Sequence, residues 1–270
     1  MTIIPFINNK ITLCFFVLIS LLNISCEKVV SIDLNSAAPH IVIEANISDQ
    51  AGPYYVQLSQ TVNFDQTNTF PPVSGAKIIL SDNAGNLDSL VETISGTYRT
   101  STIQGVPGRT YTLTVNALGS EYVAVSTMPP PVNIDSLSVQ IQAFGRNQTK
   151  YINVIFQDSA NVKNYYRFIE VRNGVVQKFT FLYDDRLQDG GTITSSLFAD
   201  EDTLNSGDKV QVFLLCIDKN VFDYFRTIRQ ASGNGGPQAA SPANPISNFS
   251  NDALGYFNAF AVRSKLIIIP

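Results

Sequence analysis

The stretch Gly105-Val-Pro-Gly-Arg-Thr-Tyr-Thr-Leu-Thr-Val115 joins a tight turn to a strict alternation of large apolar side chains and threonines. In an extended chain, successive side chains point to opposite faces, so Tyr111, Leu113 and Val115 share one face and the threonines share the other. This alternation is typical of a half-buried β-strand in an antiparallel sheet. Similar segments recur along the sequence, and they predict a mainly β fold.

The first half of the chain contains a series of such segments, separated by turn-forming residues and without an amphipathic helix among them. The predicted strands cover residues 41–47, 54–59, 76–81, 87–92, 96–100, 111–116 and 122–127. Short strands at this spacing are typical of an antiparallel sandwich. We therefore predict an immunoglobulin-like or transthyretin-like β-sandwich domain over residues 40–128.

Three consecutive prolines follow this half, in Met128-Pro-Pro-Pro-Val132. Proline fixes φ and lacks a backbone donor, so this stretch cannot lie inside a central strand and is expected to act as a stiff spacer. We predict a linker at 129–132 and a second β-rich domain at 133–270. Its predicted strands cover 136–143, 151–157, 165–172, 175–183, 210–217, 253–262 and 266–269, with Asn173-Gly174 as a type I′ hairpin turn.

One amphipathic helix is predicted in the second domain, at about residues 219–231. Asp218 is a suitable N-cap, and Gly233 can end the helix. The apolar side chains that follow Asp218 repeat at helical spacing and are expected to pack against the sheets; they are Val221, Phe222, Phe225 and Ile228.

The N-terminal residues resemble an export signal. An apolar run after Lys10 ends at Ser25-Cys26 and is shorter than the segment of about 20 residues that crosses a membrane. We predict a lipoprotein signal peptide at 1–25, lipid attachment (palmitate or a similar acyl chain) at Cys26, and a lipidated tether at 26–39. Asn23 departs from the usual motif, in which leucine is commoner; the alternative is an ordinary cleaved signal with an incidental Cys26.

Composition argues against several functional classes. The net charge is −4, and the loss of Lys10 with the signal would make it −5, whereas nucleic-acid binding calls for a basic surface. His40 is the single histidine, and no Gly-x-Ser-x-Gly motif is present, so neither a histidine-rich zinc site nor a serine hydrolase is expected. Cys216 lies in an apolar strand and is expected to be a core residue. We predict no enzyme activity and no cofactor.

Two acidic clusters remain as candidates for calcium binding or for catalysis by paired carboxylates. They comprise Asp184, Asp185 and Asp189, and Asp200, Glu201 and Asp202. Neither has the spacing of an EF-hand, so solvated loops are the favoured interpretation. Candidate O-glycosylation sites, in Asp-Ser/Thr-apolar triplets, are Ser89, Ser136, Ser159 and Thr203.

The chain resembles the outer-membrane lipoproteins of Bacteroidota known as domain of unknown function 4249. Four segments carry this resemblance: Cys26–Leu34, Val42–Ser48, Gly105–Val115 and Ser247–Phe257. The pattern Asn-x-x-x-x-Ala-x-Gly-Tyr-Phe, which starts at Asn248, is the most specific part. Tyr256 and Phe257 either line a binding surface or, as we favour, fill the core beside Gly255. The family has no established activity, so no catalytic residue is implied.

The resemblance implies a non-catalytic lipoprotein on the outer membrane, on either its periplasmic or its external face. We expect an accessory to a TonB-dependent transporter barrel in nutrient capture or uptake, with an unidentified small ligand. The alternative is a structural or adhesion module of the cell envelope. A glycan hydrolase that uses Asp184, Asp185 or Asp200–Asp202 is the least favoured hypothesis.

Overall fold

The computed structural model describes residues 38–63, 69–144, 147–199, 203–231 and 244–270. The predicted signal peptide, Cys26 and most of the tether lie outside this part of the chain. The described elements are, in order, β1 Ile41–Ser48, β2 Tyr55–Gln60, β3 Lys77–Asp82, β4 Leu87–Ser89, β5 Val91–Ile94, β6 Thr97–Arg99, β7 Thr110–Ala117, β8 Ser120–Thr127, β9 Ile134–Phe144, β10 Asn147–Gln157, β11 Tyr165–Arg172, β12 Val175–Val176, β13 Phe181–Asp184, β14 Thr192–Leu197, β15 Lys209–Ile217, α1 Lys219–Ala231 and β16 Leu254–Ile268.

The prediction of a mainly β fold with one helix is confirmed, and the sheets are arranged like a sandwich. A nine-stranded sheet has the order β12-β11-β15-β16-β1-β2-β6-β5, with β13 also paired to β11. A three-stranded sheet (β14-β10-β9) and a four-stranded sheet (β4-β3-β7-β8) complete the fold. One apolar cluster joins side chains from all three sheets, such as Ile43, Leu113 and Phe156, each fully buried. Burial of this apolar surface is the main stabilising term.

Residues 38–270 form one compact unit, and the largest sheet contains strands from both halves of the sequence. The triple proline, expected as a linker between domains 40–128 and 133–270, lies within this unit. Met128 before it is fully buried, and Val132 after it is 8% exposed. The prolines fit because they connect β8 to β9 and are not part of a strand.

A parallel pairing between β1 and β16 brings the two halves together. The register runs from Val42 beside Leu254 to Ser48 beside Phe260. Gly255 lies in this ladder with φ of 97°, and a Cβ atom there would lie 2.1 Å from the carbonyl oxygen of Ile43. The ladder therefore requires glycine at this position, for its conformation and for its close backbone approach.

Most predicted strands are present, with differences at their ends and pairings. Asn173 and Gly174 have positive φ, as a type I′ turn requires, but β11 pairs with the short β12 and then separately with β13. The two strands predicted at 253–262 and 266–269 form the single strand β16. The sequence pattern missed β14, because the serines and threonines in Thr192–Leu197 obscure its alternation of buried and exposed positions.

The helix α1 occupies Lys219–Ala231, in agreement with the predicted range. Asp218 is its N-cap, since the backbone N–H of Val221 donates to Asp218 Oδ1 at 2.9 Å. The other carboxylate oxygen accepts from the hydroxyl of Ser126, whose Oγ accepts from the N–H of Ala259. Burial raises the pKa of Asp218, partly offset by these hydrogen bonds. Asp218 thus connects α1, β8 and β16.

We predict that Gly255→Ala strongly destabilises the protein. The added methyl group would overlap the Ile43 carbonyl and separate β1 from β16, so the loss should exceed the ~1 kcal/mol expected from positive φ alone. Gly85→Ala is the matched control, because Gly85 has φ of 87° and open space around its Cβ position. Thermal unfolding of both variants measures the difference; equal melting temperatures would contradict the proposed role of the close approach.

Candidate functional site

A groove of about 360 Å³ lies on the outer face of the large sheet. Its base is a row of side chains across three neighbouring strands, in which Gln57 of β2 and Tyr256 of β16 flank Glu44 of β1. The alternation that buries Ile43 and Ala45 in the core turns Glu44 and Asn46 outward. The complete lining is Glu44, Asn46, Pro53, Tyr54, Tyr55, Gln57 and Tyr256.

The groove combines aromatic surfaces with hydrogen-bonding groups. The ring of Tyr55 is about half exposed. Tyr54 is buried and held in place, since its hydroxyl accepts from Gln104 Nε2 and from the N–H of Gly105. Burial raises the pKa of Tyr54, so its hydroxyl is protonated at neutral pH. Glu44 is the only charged residue of the lining.

Tyr256 connects the groove to the interface between α1 and the sheet. Its hydroxyl accepts from Asn46 Nδ2 at 3.3 Å, and its ring packs at 4.9 Å from the rings of both Tyr224 and Phe225. Burial raises the pKa of Tyr256, and the negative charge of Glu44 adds to this effect. One side of the groove is therefore fixed by helix packing.

Two buried polar atoms lie beneath the helix without a hydrogen-bond partner in the described part of the chain: Arg167 Nε and Asn258 Oδ1. The guanidinium carbon of Arg167 lies 3.8 Å from the centre of the Phe225 ring, a cation–π contact, and burial lowers the pKa of Arg167. Asn258 Nδ2 is 3.5 Å from Asn46 Oδ1. Polar groups thus extend from the groove into the helix interface.

The chemistry of this groove suits a ligand rich in hydroxyl groups. Carboxylate and amide oxygens accept from hydroxyls, amide nitrogens donate to them, and tyrosine rings pack on the apolar face of a sugar ring. The volume falls within the range of small-molecule sites, about 300–1,000 Å³. Because most of its lining lies on paired strands, the site is largely preformed.

A second, larger concavity of about 580 Å³ lies between β13 and α1. Two of its arginines form ion pairs: Arg186 Nε is 2.7 Å from Asp184 Oδ1 within the lining, and Arg226 pairs with Asp223 of α1, outside it. Asp184, a sequence-based calcium and catalytic candidate, is thus an ion-pair partner. The carboxylate has no second acidic group positioned for paired-carboxylate chemistry in this concavity.

The other two acidic candidates of this loop lie close to an aspartate that the sequence pattern did not select as a metal ligand. Asp185 and Asp189 converge on Asp158, with potential ligand oxygens of the three side chains within 4.8 Å of one another. Such a group can hold a divalent cation. Two of these carboxylates, however, already accept hydrogen bonds from the loop between β10 and β11, Asp185 from the N–H of Asn164 and Asp189 from that of Asn161.

Asp158 is the most constrained of the three. It is 4% exposed and accepts from the hydroxyl of Tyr166, from Asn164 Nδ2 and from the N–H of Gly190. Burial and the contact with Asp158 strongly raise the pKa of Tyr166. The carboxylate therefore fixes three chain segments together. Asp200, Glu201 and Asp202 lie outside the described residues.

The four hydroxyls proposed as glycosylation acceptors, Ser89, Ser136, Ser159 and Thr203, are exposed. Two of the adjacent aspartates have structural roles: Asp158 as described, and Asp88, which accepts from three consecutive backbone N–H groups at residues 101–103. Glycosylation at these positions stays a prediction.

Cys216 is buried in the core, as expected, and burial raises its pKa to about 12. A thiol with so high a pKa is a poor nucleophile at neutral pH. His40 is exposed just before β1. Among the described residues, no helix is long and apolar enough to cross a membrane.

The motif that starts at Asn248 has a structural explanation at each of its fixed positions. The Asn248 side chain donates to the carbonyl of Phe257 and accepts from its N–H, as a paired strand would. Ala253 and Phe257 are 1% exposed, and Gly255 permits the approach to β1. Phe257 therefore fills the core, as favoured, whereas Tyr256 both packs under α1 and lines the groove.

We predict that Asp158→Ala lowers the free energy of unfolding by about 3 kcal/mol or more, because buried donors lose their acceptor. Asp184→Ala is the control, since it removes only the ion pair with the largely exposed Arg186, for which less than about 1 kcal/mol is expected. Denaturant unfolding measures both. Similar losses in the two variants would contradict the structural role of Asp158.

Thermal unfolding, with calcium or with chelator, tests whether this loop binds a cation. A bound ion would raise the melting temperature of the parent, and Asp189→Asn would reduce that increase. An unchanged melting temperature would contradict cation binding at these carboxylates. Their role would then be to hold the loops together.

Comparison with known proteins assigns the chain to a family but assigns no activity. No curated protein matches. Among solved structures, the chain is similar to the adhesin InvE of Yersinia pseudotuberculosis at 21% identity, with a TM-score of 0.22; the match covers 65% of this chain and 55% of the adhesin chain. A likeness at this level carries no argument about function. A family model described as Domain of unknown function (DUF4249) matches residues 27–266. The chain therefore belongs to the DUF4249 family.

Proposed function

We propose that this protein is a non-catalytic, lipid-anchored binding protein of the outer membrane. It captures a small, hydroxyl-rich ligand and delivers it to a TonB-dependent transporter barrel, with which it associates. The observation that carries the ligand-capture proposal is the groove around Glu44, Tyr55 and Tyr256. The membrane anchor rests on the sequence around Cys26, and the barrel partner rests on the family resemblance.

The groove supports binding over catalysis by its composition. Its single carboxylate has no second acid within the lining, whereas hydrolysis of a glycosidic bond generally uses two. Its tyrosines and amides provide packing surface and hydrogen bonds, which suit reversible capture. Buried Cys216 and the loop-fixing Asp158 supply no reactive group to the groove.

Binding to an array of neutral oligosaccharides tests the ligand class. We expect the detergent-solubilised parent to bind a subset of these glycans, and Glu44→Ala and Tyr55→Ala to lower affinity at least about tenfold, which corresponds to ~1.4 kcal/mol. Both side chains are exposed, so the variants should fold. Val175→Ala, at an exposed position of the short strand β12, is the control. Equal binding by all four proteins, or no binding by the parent, would contradict the proposal.

Cell fractionation tests the anchor. Cys26→Ala should move the protein from the membrane pellet to the soluble fraction, because the acyl chains anchor it in the bilayer. Cys14→Ala changes a thiol within the predicted signal peptide and should leave the distribution unchanged. If the Cys26→Ala variant and the parent fractionate alike, the lipid anchor is wrong.

The same membranes, solubilised in mild detergent, test the partner. Affinity purification of the tagged parent should recover an outer-membrane barrel in comparable amount. Recovery of the protein without a barrel would contradict the transporter association, while leaving the ligand measurement intact.

A further inference from the structure

The strand β9 forms an open edge of the three-stranded sheet. It pairs with β10 on one side, and no other described strand pairs with its opposite side. In an antiparallel pair, alternate residues of an edge strand direct their N–H and C=O groups away from the partner. With eleven residues, Ile134–Phe144, β9 therefore offers a long row of backbone donors and acceptors.

The other terminal strands of the three sheets are shorter or covered. The edge strands β12, β4 and β5 have two, three and four residues, and β5 has an irregular register between Glu92 and Ile94. The outer edge of β8 is covered by the segment before β16, through a bridge between Ala124 and Phe249 and a bond from Ser250 to Val123. Proteins commonly protect edges in these ways.

Among the described residues, protection of β9 is found at its beginning. The ammonium group of Lys265 donates to the carbonyls of Ile134 and Asp135. From Ser136 to Phe144 the strand has no charged residue and no proline. Ile141 is 56% exposed, and its neighbours Gln140 and Gln142 are exposed as well. This part of the edge lacks the features that usually prevent strand addition.

The pattern of β9 is complementary to itself. Leu137, Val139 and Ile141 share one face, whereas serines and glutamines occupy the other. In an antiparallel pair of two β9 strands with matched faces, apolar side chains lie opposite apolar ones and amides opposite amides. A charged partner strand would gain nothing here, because this stretch has no charge to complement.

We propose that β9 is a homodimer interface, at which two copies of this chain pair their β9 strands antiparallel around a two-fold axis. The pairing joins two three-stranded sheets into one of six strands and covers Ile141. Such an interface is self-complementary and closed, so it ends at two copies. This inference is independent of the ligand proposed for the groove.

Light scattering of the purified full chain in mild detergent tests the proposal. The parent should have the protein mass of two chains at micromolar concentration. Ile141→Lys should raise the dimer dissociation constant at least about tenfold, because it places like charges across the two-fold axis. Thr194→Lys adds the same charge at β14, the other edge of this sheet, and should leave the mass unchanged.

Disulfide formation in membranes gives a second measurement that does not depend on a destabilising change. Gln140→Cys places an exposed thiol near the centre of the edge, whereas the native Cys216 is buried. Mild oxidation should yield a species of twice the chain mass, reversed by reductant. Thr194→Cys is the matched control and should give none.

Three results would overturn the proposal. They are a monomeric parent at all concentrations, a dimer lost in Thr194→Lys but kept in Ile141→Lys, and a Gln140→Cys product linked to a different protein. The last result would assign the β9 edge to a heterologous partner.

Discussion

The parallel ladder between β1 and β16 is the constraint on which the rest of this structure depends. It places the first and last strands of the described body side by side at the middle of the nine-stranded sheet. Without it, β2, β6 and β5 would be separated from β15, β11 and β12. The outer face of the same ladder carries Glu44, Asn46 and Tyr256, so the strand pairing that closes the core also forms the base of the groove.

Carboxylates maintain many of the connections around this ladder. Asp88 is buried, which raises its pKa, yet the N–H groups of Ile103, Thr102 and Ser101 outweigh burial and hold the pKa below its usual value. Asp158 fixes the loops beside β14, and Asp218 joins the helix to two strands. Only 15% of the residues are charged. Among them, Asp88, Asp158 and Asp218 each accept hydrogen bonds from backbone N–H groups. Acidic residues in this chain are therefore poor indicators of catalysis.

The local structure was largely predictable because it depends on neighbours in sequence. Alternation in Tyr111–Val115, the turn at Asn173-Gly174 and the helix after Asp218 follow from side-chain pattern and backbone conformation. The groove and the acidic group at Asp158 were not predictable in the same way. Each depends on pairing between distant strands or loops, and no local pattern specifies that Glu44 lies beside Tyr256.

The same limit explains why the triple proline suggested two domains. Proline excludes a central strand at 129–132, but it says nothing about the later return of β16 to β1. Gly255 was the available sign, since a glycine inside an apolar strand often marks close backbone approach. The sequence does not identify which backbone segment approaches Gly255, whereas the structure shows that it is the Ile43 carbonyl.

The adjacency of β1 and β16 also has a consequence for the order of events during synthesis. More than 200 residues separate Val42 from its neighbour Leu254, so the central sheet cannot close until β16 has emerged from the ribosome. Contacts of such long range slow folding, because the entropy of closing a large loop opposes them. In a nascent chain, β1 would therefore lack its β16 neighbour through most of synthesis.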